Sequence, residues 1–437
     1  MRSLRSVRAP AVSLVLAVGI GACSSDVAEP SPTDGMANAT SSIEPTANEP
    51  TPSPAPSAPA RPIPSTPASE QSPAEGWVEV ASFGSADTIE TVHDVAAAPF
   101  GLLAAGVHLS TRSLAVFDPL AAESRIWLSD DARSWKDVTP PDTFADASID
   151  RLVVLPDGAV LAFGRTSRLV DGIPWEEPAA WETLDGRTWT ELEITVGDER
   201  VIELVAGGPG YLARVGADLG GQQLGFSSDG KTFAPVADPT GARIMTGIAA
   251  GPEGFVIRAE VYESADPATL YASGNGVDWY EASDPGWTLG SAAPIGPDWV
   301  ALDHRPFDAP DDVEVRTWVS ANGLDWTEAG QLPLRTVDLG DGAVCSEYPD
   351  LVSTRTLVVA STVLSYPCGE GLVQRFGTAH VSNDGGTWLA LPFAAGVEIA
   401  DPTTRGTQVS AGLDLESGTL LVGETGYRAT FWFRPNQ

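Results

Sequence analysis

Lysine and basic charge in general are scarce in this chain, and their scarcity excludes several classes of partner. Only Lys136 and Lys231 are lysines, and 25 basic residues stand against 59 acidic ones, for a formal net charge of −34. A field of this sign repels phosphate backbones and anionic surfaces, so we expect no nucleic-acid partner. Abundant Ala, Gly and Pro with so few lysines favour a high-GC genome, such as that of an actinobacterium.

Metal-ligand and cofactor signatures are also missing. The four histidines, His93, His108, His304 and His380, are scattered without metal-ligand spacing. No Gly-rich phosphate loop or nucleophile elbow occurs. The acidic stretch at 308–315 lacks the spacing of a calcium loop, and we interpret it as a solvated loop. We therefore expect neither a metal nor a cofactor.

Long apolar runs are absent except at the beginning of the chain. Arg2, Arg5 and Arg8 precede a short apolar segment from Ala11 to Ile20. This is the layout of a secretory signal, and the segment is too short to span a membrane.

The signal ends in Ile20-Gly21-Ala22-Cys23, which resembles a bacterial lipobox. The resemblance implies that residues 1–22 are removed and that Cys23 is acylated; the alternative is an ordinary signal with a chance cysteine. Several acyl chains form a stable tether. We therefore expect an extracytoplasmic protein anchored to the cell membrane, with a mature charge of 22 − 59 = −37.

Residues 23–75 contain almost no large apolar side chains and consist mainly of Pro, Ser, Thr, Ala and Glu. Such a composition does not bury enough surface to offset the entropy of ordering. The interpretation is a lipidated cysteine followed by a disordered stalk, with the folded domain at 76–437.

Cysteine is limited to Cys23, Cys345 and Cys368. In an exported protein with one lipid-bearing cysteine, the other two most simply pair with each other. The predicted disulfide closes a loop worth roughly 3 kcal/mol on the chain-entropy model.

What is abundant is a turn that occurs six times. Its form is Ser or Thr, any residue, Asp or Asn, Gly (once Ala), any residue, Thr, Ser or Asp, then an aromatic. The copies are SDDARSW (129–135), TLDGRTW (183–189), SSDGKTF (227–233), SGNGVDW (273–279), SANGLDW (320–326) and SNDGGTW (382–388). Their spacings of 54, 44, 46, 47 and 62 residues indicate propeller blades or a solenoid.

Each position of this Asp turn has a physical role. Asp or Asn bonds the backbone N–H groups of its own turn, and Gly supplies the positive φ of a tight hairpin. The aromatic begins the return strand and packs on a neighbouring sheet. Apolar runs flank every copy, so the turn joins two antiparallel strands.

A second turn occurs between the copies, at 98–101, 155–158, 208–210 and 251–254. Each unit therefore has four strands, with a Pro-Gly turn after the first and the Asp turn after the third. No amphipathic helical run of ten residues interrupts the pattern. Four-stranded units of about 50 residues repeated radially indicate an all-β propeller.

Strands from the two ends of the domain are predicted to form one blade together. The segment 77–80 resembles the strands that follow the Asp turns, and the C-terminal RATFWFRPNQ resembles a strand that precedes one. We predict a seventh blade of three C-terminal strands and one N-terminal strand, which removes two exposed edges.

The repeated turn resembles the Asp-box, or BNR repeat, of sialidases and related propellers, although it is one residue shorter. The resemblance implies structural roles, on the face opposite the catalytic centre, for the box positions. These are Asp131, Trp135, Asp185, Trp189, Asp229, Phe233, Asn275, Trp279, Asn322, Trp326, Asp384 and Trp388.

Sialidase chemistry, by the same resemblance, requires an Arg triad, a Tyr–Glu pair and an Asp acid/base. The first Arg normally lies in a Phe/Tyr-Arg-Ile/Leu-Pro motif before the first box. Only Arg112 and Arg125 lie between 76 and 126, and neither fits. Sialidases also have six blades, so the sequence favours a non-enzymatic reading.

The remaining candidate surface is the face opposite the Asp turns. Aromatic loops are predicted there at 169–178, 261–267, 303–312 and 364–371. Aromatics beside acids and Arg suit sugars or a peptide. The candidate residues are Trp175, Glu176, Tyr262, Asp303, His304, Arg305 and Tyr366. The alternative is that Trp175 and Phe307 merely plug the mouth of the propeller.

Two hypotheses remain open from the sequence. The first is a surface-tethered, non-enzymatic and monomeric propeller that binds a glycan or protein. The second is a sialidase-like or other carbohydrate-active hydrolase. A funnel of converging Arg with a carboxylate pair would support the second, and a shallow acidic face the first.

Overall fold

The computed structural model describes most of the predicted domain. The described residues are 72, 74–85, 87–110, 123–144, 146–170, 173–217, 220–241, 243–261, 268–283, 289–303, 315–334, 336–338, 344–365, 378–394 and 407–436. Within these residues, one 3₁₀ turn at Pro392–Ala394 is the only helical element. None of the described helical structure is long and apolar enough to cross a bilayer.

Within the described residues, thirty β-strands account for nearly all of the regular structure. The first fourteen are β1 Val78–Phe83, β2 Thr88–Ala98, β3 Gly101–Ser110, β4 Glu123–Ser129, β5 Lys136–Asp137, β6 Ala147–Val154, β7 Val160–Val170, β8 Ile173–Thr183, β9 Thr190–Leu192, β10 Thr195–Val196, β11 Glu199–Gly207, β12 Gly210–Ala217, β13 Gly220–Ser227 and β14 Ala234–Val236. The others are β15 Ile244–Gly251, β16 Gly254–Glu260, β17 Thr269–Ser273, β18 Tyr280–Glu281, β19 Leu289–Ile295, β20 Asp298–Asp303, β21 Val315–Ser320, β22 Thr327–Leu332, β23 Thr336–Asp338, β24 Val344–Ser353, β25 Val358–Ser365, β26 Ala379–Ser382, β27 Leu389–Ala390, β28 Thr407–Leu415, β29 Gly418–Thr425 and β30 Arg428–Pro435.

The strands form seven antiparallel blades of a β-propeller. In strand order they are blade 1 (β2 to β5), blade 2 (β6 to β9), blade 3 (β11 to β14), blade 4 (β15 to β18), blade 5 (β19 to β22), blade 6 (β24 to β27) and blade 7 (β28, β29, β30, β1). The short strands β10 and β23 add a fifth strand beside the first strands of blades 3 and 6. The predicted fold class is confirmed.

Blade 7 closes the ring as the sequence predicts. β1 pairs antiparallel with β30, from Val78 opposite Phe433 to Phe83 opposite Ala429, with a bulge between Glu79 and Ala81. The fourth strand of the last blade thus comes from the N-terminal side of the domain.

The apolar core is distributed over the seven junctions between blades. The described residues form seven buried clusters, each shared by two adjacent blades. Six contain the aromatic residue of an Asp turn. The seventh, between blades 6 and 7, contains Trp77, whose ring lies edge-on to Phe393 at 6.1 Å and beneath the guanidinium of Arg434. Trp77 therefore takes the place of the missing seventh aromatic.

The first strands of the blades form the inner wall of the ring, because each contacts the first strands of both neighbouring blades. Six of them contain a β-bulge near mid-length. A bulge re-aims the side chains beside it. The residues that follow three of these bulges, Asp94, Arg151 and Glu203, are charged.

Candidate functional site

The Asp turns share one hydrogen-bond pattern. Oδ1 of the Asp or Asn accepts the backbone N–H groups two and three residues later at 2.6–3.0 Å. The Ser or Thr two residues earlier donates its hydroxyl to the same oxygen at 2.7–3.3 Å. The acceptors are Asp131, Asp185, Asp229, Asn275, Asn322 and Asp384. These side chains therefore stabilise the backbone of their own turns, which is a structural role.

The aromatic residues of the turns are occupied by packing. Trp135, Phe233, Trp326 and Trp388 are buried, and Trp189 and Trp279 are partly buried in their clusters. The ring of Trp135 in blade 1 stacks on Phe431 in blade 7, with centroids 4.4 Å apart. These side chains lie between blades and not on a ligand-binding surface.

The predicted aromatic loop at 169–178 is instead part of a long hairpin. β7 and β8 pair from Val160 opposite Thr183 to Val170 opposite Ile173, which leaves only residues 171 and 172 outside the ladder. The fourth strand, β9, pairs only with Ala180 to Glu182. The outer half of the hairpin therefore extends beyond the strand that would cover it, and the loop prediction is wrong here.

This hairpin carries solvent-exposed apolar side chains near its end. Leu169 is 57% exposed, Val170 43% and Trp175 56%. Exposure of Trp175 argues against its predicted alternative role as a plug of the propeller mouth. The end of the hairpin joins second and third strands, so it lies on the face opposite the Asp turns, as predicted.

Ion pairs line the hairpin below these apolar residues. The guanidinium of Arg165 lies 3.1 Å from Glu176, and Arg168 pairs with Glu177. Arg200, at the beginning of β11, is 4.0 Å from Glu177. At this junction of blades 2 and 3 lies a cavity of about 270 Å³ lined by Pro178 to Ala180, Glu191 to Ile194, Arg200 and Val201.

The other predicted residues of this face are mostly outside the described residues. Tyr262, His304, Arg305 and Tyr366 fall there, as do Phe307, Cys368 and the side chain of Cys345. Asp303 is described as the last residue of β20 and is only 3% exposed. It therefore lies in the blade and not on an exposed binding surface, which corrects the prediction.

A second site, which the sequence analysis missed, lies where the first strands meet. Asp94 of blade 1 accepts the backbone N–H of Val95 at 2.8 Å and that of Leu152, in blade 2, also at 2.8 Å. Burial is the main influence on Asp94, and it raises the pKa of this carboxyl despite the nearby Arg151. Asp94 thereby joins the inner strands of two blades.

Arg151 follows the bulge in β6, the first strand of blade 2. Burial by itself lowers the pKa of Arg151, but the carboxylates of Asp94, Glu203, Asp350 and Asp150 outweigh it and raise that pKa above its ordinary value. These carboxylates belong to blades 1, 3, 6 and 2. Blades 2 and 6 are not neighbours, so the carboxylate of Asp350 raises the pKa of Arg151 from a blade that does not adjoin its own.

Two further arginines approach the channel already paired. Arg214 of β12 contacts Glu203 through Nε and a terminal nitrogen, each at 3.0 Å. Arg258 of β16 pairs with Glu260 and donates to the hydroxyl of Thr246 at 3.0 Å. Both of these arginines are thus neutralised by glutamates of their own blades.

The channel opens towards the Asp-turn face into a cavity of about 350 Å³. Its lining comes from the first turns of blades 3 to 7 and includes Gly207, Gly251, Gly296, Arg355 and Asp414. Neighbouring turns are linked by hydrogen bonds, such as Gly208 N–H to the carbonyl of Gly251 at 2.9 Å. Among the described residues, no group of three or more His, Cys, Asp or Glu is arranged to hold a metal ion.

Comparison with known proteins identifies no family. No protein-family model matches the chain, and no curated protein matches it. Among solved structures, virginiamycin B lyase from Staphylococcus aureus is 10% identical over 82% of this chain and 98% of its own, with a TM-score of 0.44. PorZ from Porphyromonas gingivalis is 12% identical over 83% of this chain and 39% of its own, with a TM-score of 0.42. Similarity at this level supports no conclusion about activity.

Proposed function

We propose that this chain is a membrane-anchored, non-enzymatic propeller that binds a glycan or protein through the face opposite its Asp turns. The observation that carries the proposal is the extended β7–β8 hairpin. Its exposed Trp175 is of the residue type enriched at the centre of binding surfaces, Leu169 and Val170 add apolar surface beside it, and Arg165 and Arg168 supply a polar rim.

The path of the chain supports the same choice of face. β1 begins opposite Phe433, close to the end of β30, where Asn436 N–H bonds the carbonyl of Ser417 in the first turn of blade 7. The polypeptide therefore enters the propeller at the Asp-turn face. A tether attached there leaves the hairpin face free for a partner.

The experiment is a glycan array and a pull-down with the mature chain and a Trp175→Ala variant. Because Trp175 is exposed, the substitution should leave the melting temperature unchanged and reduce capture at least tenfold if the ring is a binding hot spot. Tyr280→Ala, which removes an exposed aromatic of blade 4, is the matched control. Equal capture by both variants would refute a role for the hairpin.

Anchoring and the disulfide belong to the same proposal. The lipobox resemblance supports acylation of Cys23, and the cysteine count supports a bond between Cys345 and Cys368. Cys345 lies near the beginning of β24 in blade 6, and Cys368, which is outside the described residues, comes three residues after the end of β25 in the sequence. Thiol counting on denatured, unreduced protein should detect no free thiol from this pair.

A carbohydrate-active hydrolase is the second candidate because carboxylates raise the pKa of Arg151 and form ion pairs with Arg214 and Arg258. The pairing of Arg214 and Arg258 leaves one unpaired guanidinium where a triad would need three. Release of chromophore from aryl sialosides and aryl hexosides, lost in Glu203→Gln and retained in Asp198→Asn, would establish this alternative.

A further inference from the structure

We propose that Asn275 and Asn322 are sites of spontaneous deamidation. In each case the folded turn delays the reaction, and the product of the reaction no longer fits the turn. This inference concerns two of the six Asp turns and does not depend on the function proposed for the hairpin.

The chemistry follows from the residue after each asparagine. Asn275 and Asn322 are the only asparagines of the chain that precede a glycine. Glycine has no side chain to shield its backbone nitrogen, so this nitrogen can attack Cγ of the asparagine. A bond forms between the nitrogen and Cγ, and ammonia departs with the former N–H proton. Water then opens the cyclic imide to Asp or to isoaspartate, and both Asn side chains are exposed to water.

Hydrogen bonds hold both reacting groups in the turn of blade 4. Gly276 is buried, and its nitrogen, which would attack, donates its proton to Oγ of Ser273 at 2.8 Å. Oδ1 of Asn275 accepts the backbone N–H groups of Val277 and Asp278 at 2.9 and 2.8 Å. The attack requires both groups to leave these partners, so the reaction should wait until the turn opens.

The turn of blade 5 is fastened by further hydrogen bonds. Nε1 of Trp326 donates to the carbonyl of Gly323 at 3.0 Å. Oγ of Ser283, which follows the last strand of blade 4, donates to the carbonyl of Leu324 at 2.9 Å. In blade 4 the equivalent indole nitrogen, Nε1 of Trp279, is buried and has no hydrogen-bond partner among the described residues. The turn of blade 4 should therefore open more often, and its asparagine should deamidate first.

The position three residues after the Asn or Asp differs between the two kinds of turn. In the Asn turns it is an aspartate, which accepts the side-chain amide. Nδ2 of Asn275 donates to Asp278 at 2.8 Å, and Nδ2 of Asn322 donates to Asp325 at 3.0 Å. In the four Asp turns the same position holds a hydroxyl residue: Ser134, Thr188, Thr232 and Thr387. Two of these hydroxyls donate to Oδ2 of the turn's own Asp at 3.1 Å.

This pairing makes the products of deamidation unsuitable for the turn. Conversion of Asn275 to Asp places a carboxylate oxygen where the amide nitrogen now donates to Asp278, so a hydrogen bond is replaced by repulsion between two anions. Isoaspartate adds a methylene group to the backbone, which moves the carboxylate away from the N–H groups of the turn. Either product should weaken blade 4.

The first test uses the unaltered mature chain, held at about pH 8 and 37 °C either folded or in urea. Peptide mass mapping then measures conversion at each asparagine. In urea the two should convert at about the same rate. Folding should slow both at least about tenfold, because the turn must open first, and Asn275 should convert faster than Asn322.

Two outcomes of this test would overturn the proposal. Equal rates in the folded and unfolded chain would show that the turns give no protection. Absence of conversion in the folded chain, even when it is held a few degrees below its melting temperature, would show that neither residue is a deamidation site of the native protein.

A matched pair of substitutions tests the indole hydrogen bond. Trp326→Phe removes the donor to Gly323 and should raise the folded-state rate at Asn322 to about the rate at Asn275. Trp279→Phe is the control, because the indole that it removes donates no hydrogen bond. An equal acceleration by both substitutions, each at its own turn, would contradict the order assigned to the two sites.

A second pair of measurements tests the role of Asp278. Asn275→Asp reproduces one product directly and should lower the melting temperature by roughly 2 °C. In an Asp278→Thr background, which restores the pairing of the Asp turns, the same substitution should not lower it. The difference should shrink at high salt, because repulsion between exposed charges is screened. Equal shifts in both backgrounds would show that Asp278 does not oppose the product.

Discussion

At the scale of single residues, the six Asp turns show which atoms matter. Asn275 and Asn322 make the same two backbone contacts through Oδ1 as the four aspartates do. An amide oxygen is therefore sufficient for the turn, and the negative charge is not required at neutral pH. The charge adds stability to the turn at neutral pH, and this contribution is lost in acid.

The turn that contains Asp229 is the one whose stability should depend most on acid. The backbone N–H groups of Thr232 and Lys231 lower the pKa of Asp229 from 3.8 to about 2. A lowered folded-state pKa contributes stability that is complete above about pH 4 and is lost as the pH falls towards 2. Asp229→Asn keeps the acceptor oxygen but not the charge, so it should be less stable than the unaltered protein at pH 7 and should lose less stability between pH 4 and pH 2.

The check is urea unfolding at pH 7 and pH 3, with Asp229→Ala as the comparison. Alanine removes the acceptor from two backbone N–H groups and should cost about 1–2 kcal/mol at pH 7. An Asn variant as unstable as the Ala variant at pH 7 would contradict the role assigned to Oδ1.

The glycine of the turn is required for space as well as for its positive φ. A Cβ on Gly276, at φ +76°, would lie 2.3 Å from Cδ2 of Phe226. Gly276→Ala should destabilise blade 4 by about 1–3 kcal/mol, as measured by urea unfolding.

Ala132 provides the internal control, because it occupies the same turn position at φ +61° with its methyl buried. Ala132→Gly relieves backbone strain, but it also removes packing contacts of the methyl group and increases the entropy of the unfolded chain. Because these effects oppose each other, the free energy of unfolding should change by no more than about 1 kcal/mol. Equal destabilisation by the two substitutions would show that crowding at Phe226 is not the cause.

The charges of the channel mark the limit of sequence reasoning at this scale. The Asp turns could be found because each is a contiguous motif. Asp94 and Leu152, by contrast, are 58 residues apart, and the pKa of Arg151 in blade 2 is raised in part by Asp350 in blade 6. No contiguous sequence motif predicts an interaction between residues so far apart in the chain.

At the scale of elements, alternation and turn chemistry predicted the strands well. The short return strands such as Thr190–Leu192 and Ala234–Val236 occur directly after the Asp turns, as expected. The 169–178 hairpin was mistaken for a loop because Pro174 and Pro178 interrupt its strand pattern. Proline is tolerated where its nitrogen faces an unpaired edge, and β9 leaves this edge uncovered.

The closing strand is the element whose loss should be most damaging. Deletion of residues 76–82 removes most of the pairing with β30 and also Trp77 from the cluster between blades 6 and 7. About four backbone hydrogen bonds and a packed aromatic are lost, so the cost should be several kcal/mol.

Thermal melting compares this deletion with removal of seven residues at 51–57, in the Pro-rich stretch. The second deletion should leave the melting temperature unchanged. If the two deletions melted alike, β1 would not be what closes the ring.

At the scale of the whole molecule, the N-terminal and C-terminal strands of the domain pair within blade 7 and so close the ring of repeated blades. Each blade buries its faces only against neighbouring blades, so seven clusters hold seven junctions and none is dispensable. The number of blades followed from counting Asp turns and adding the composite blade.

The tether is tested by Cys23→Ser. If Cys23 carries the lipid, the variant should appear in the medium or accumulate as an unprocessed precursor, as followed by fractionation and immunoblotting. The unaltered protein should stay with the membrane until detergent is added. A processed Ser variant that remains in the membrane fraction contradicts lipidation at this residue.

The position of β1 also determines how the molecule bears mechanical load. If the chain is held at its N-terminal side and a partner pulls on the opposite face, tension runs along β1 and against β30. The two strands are antiparallel and paired over Val78 to Phe83. Tension along their common axis loads their hydrogen bonds together, in shear, and does not peel them apart one at a time. The strand that closes the ring is thus also the one oriented to resist being pulled out of it.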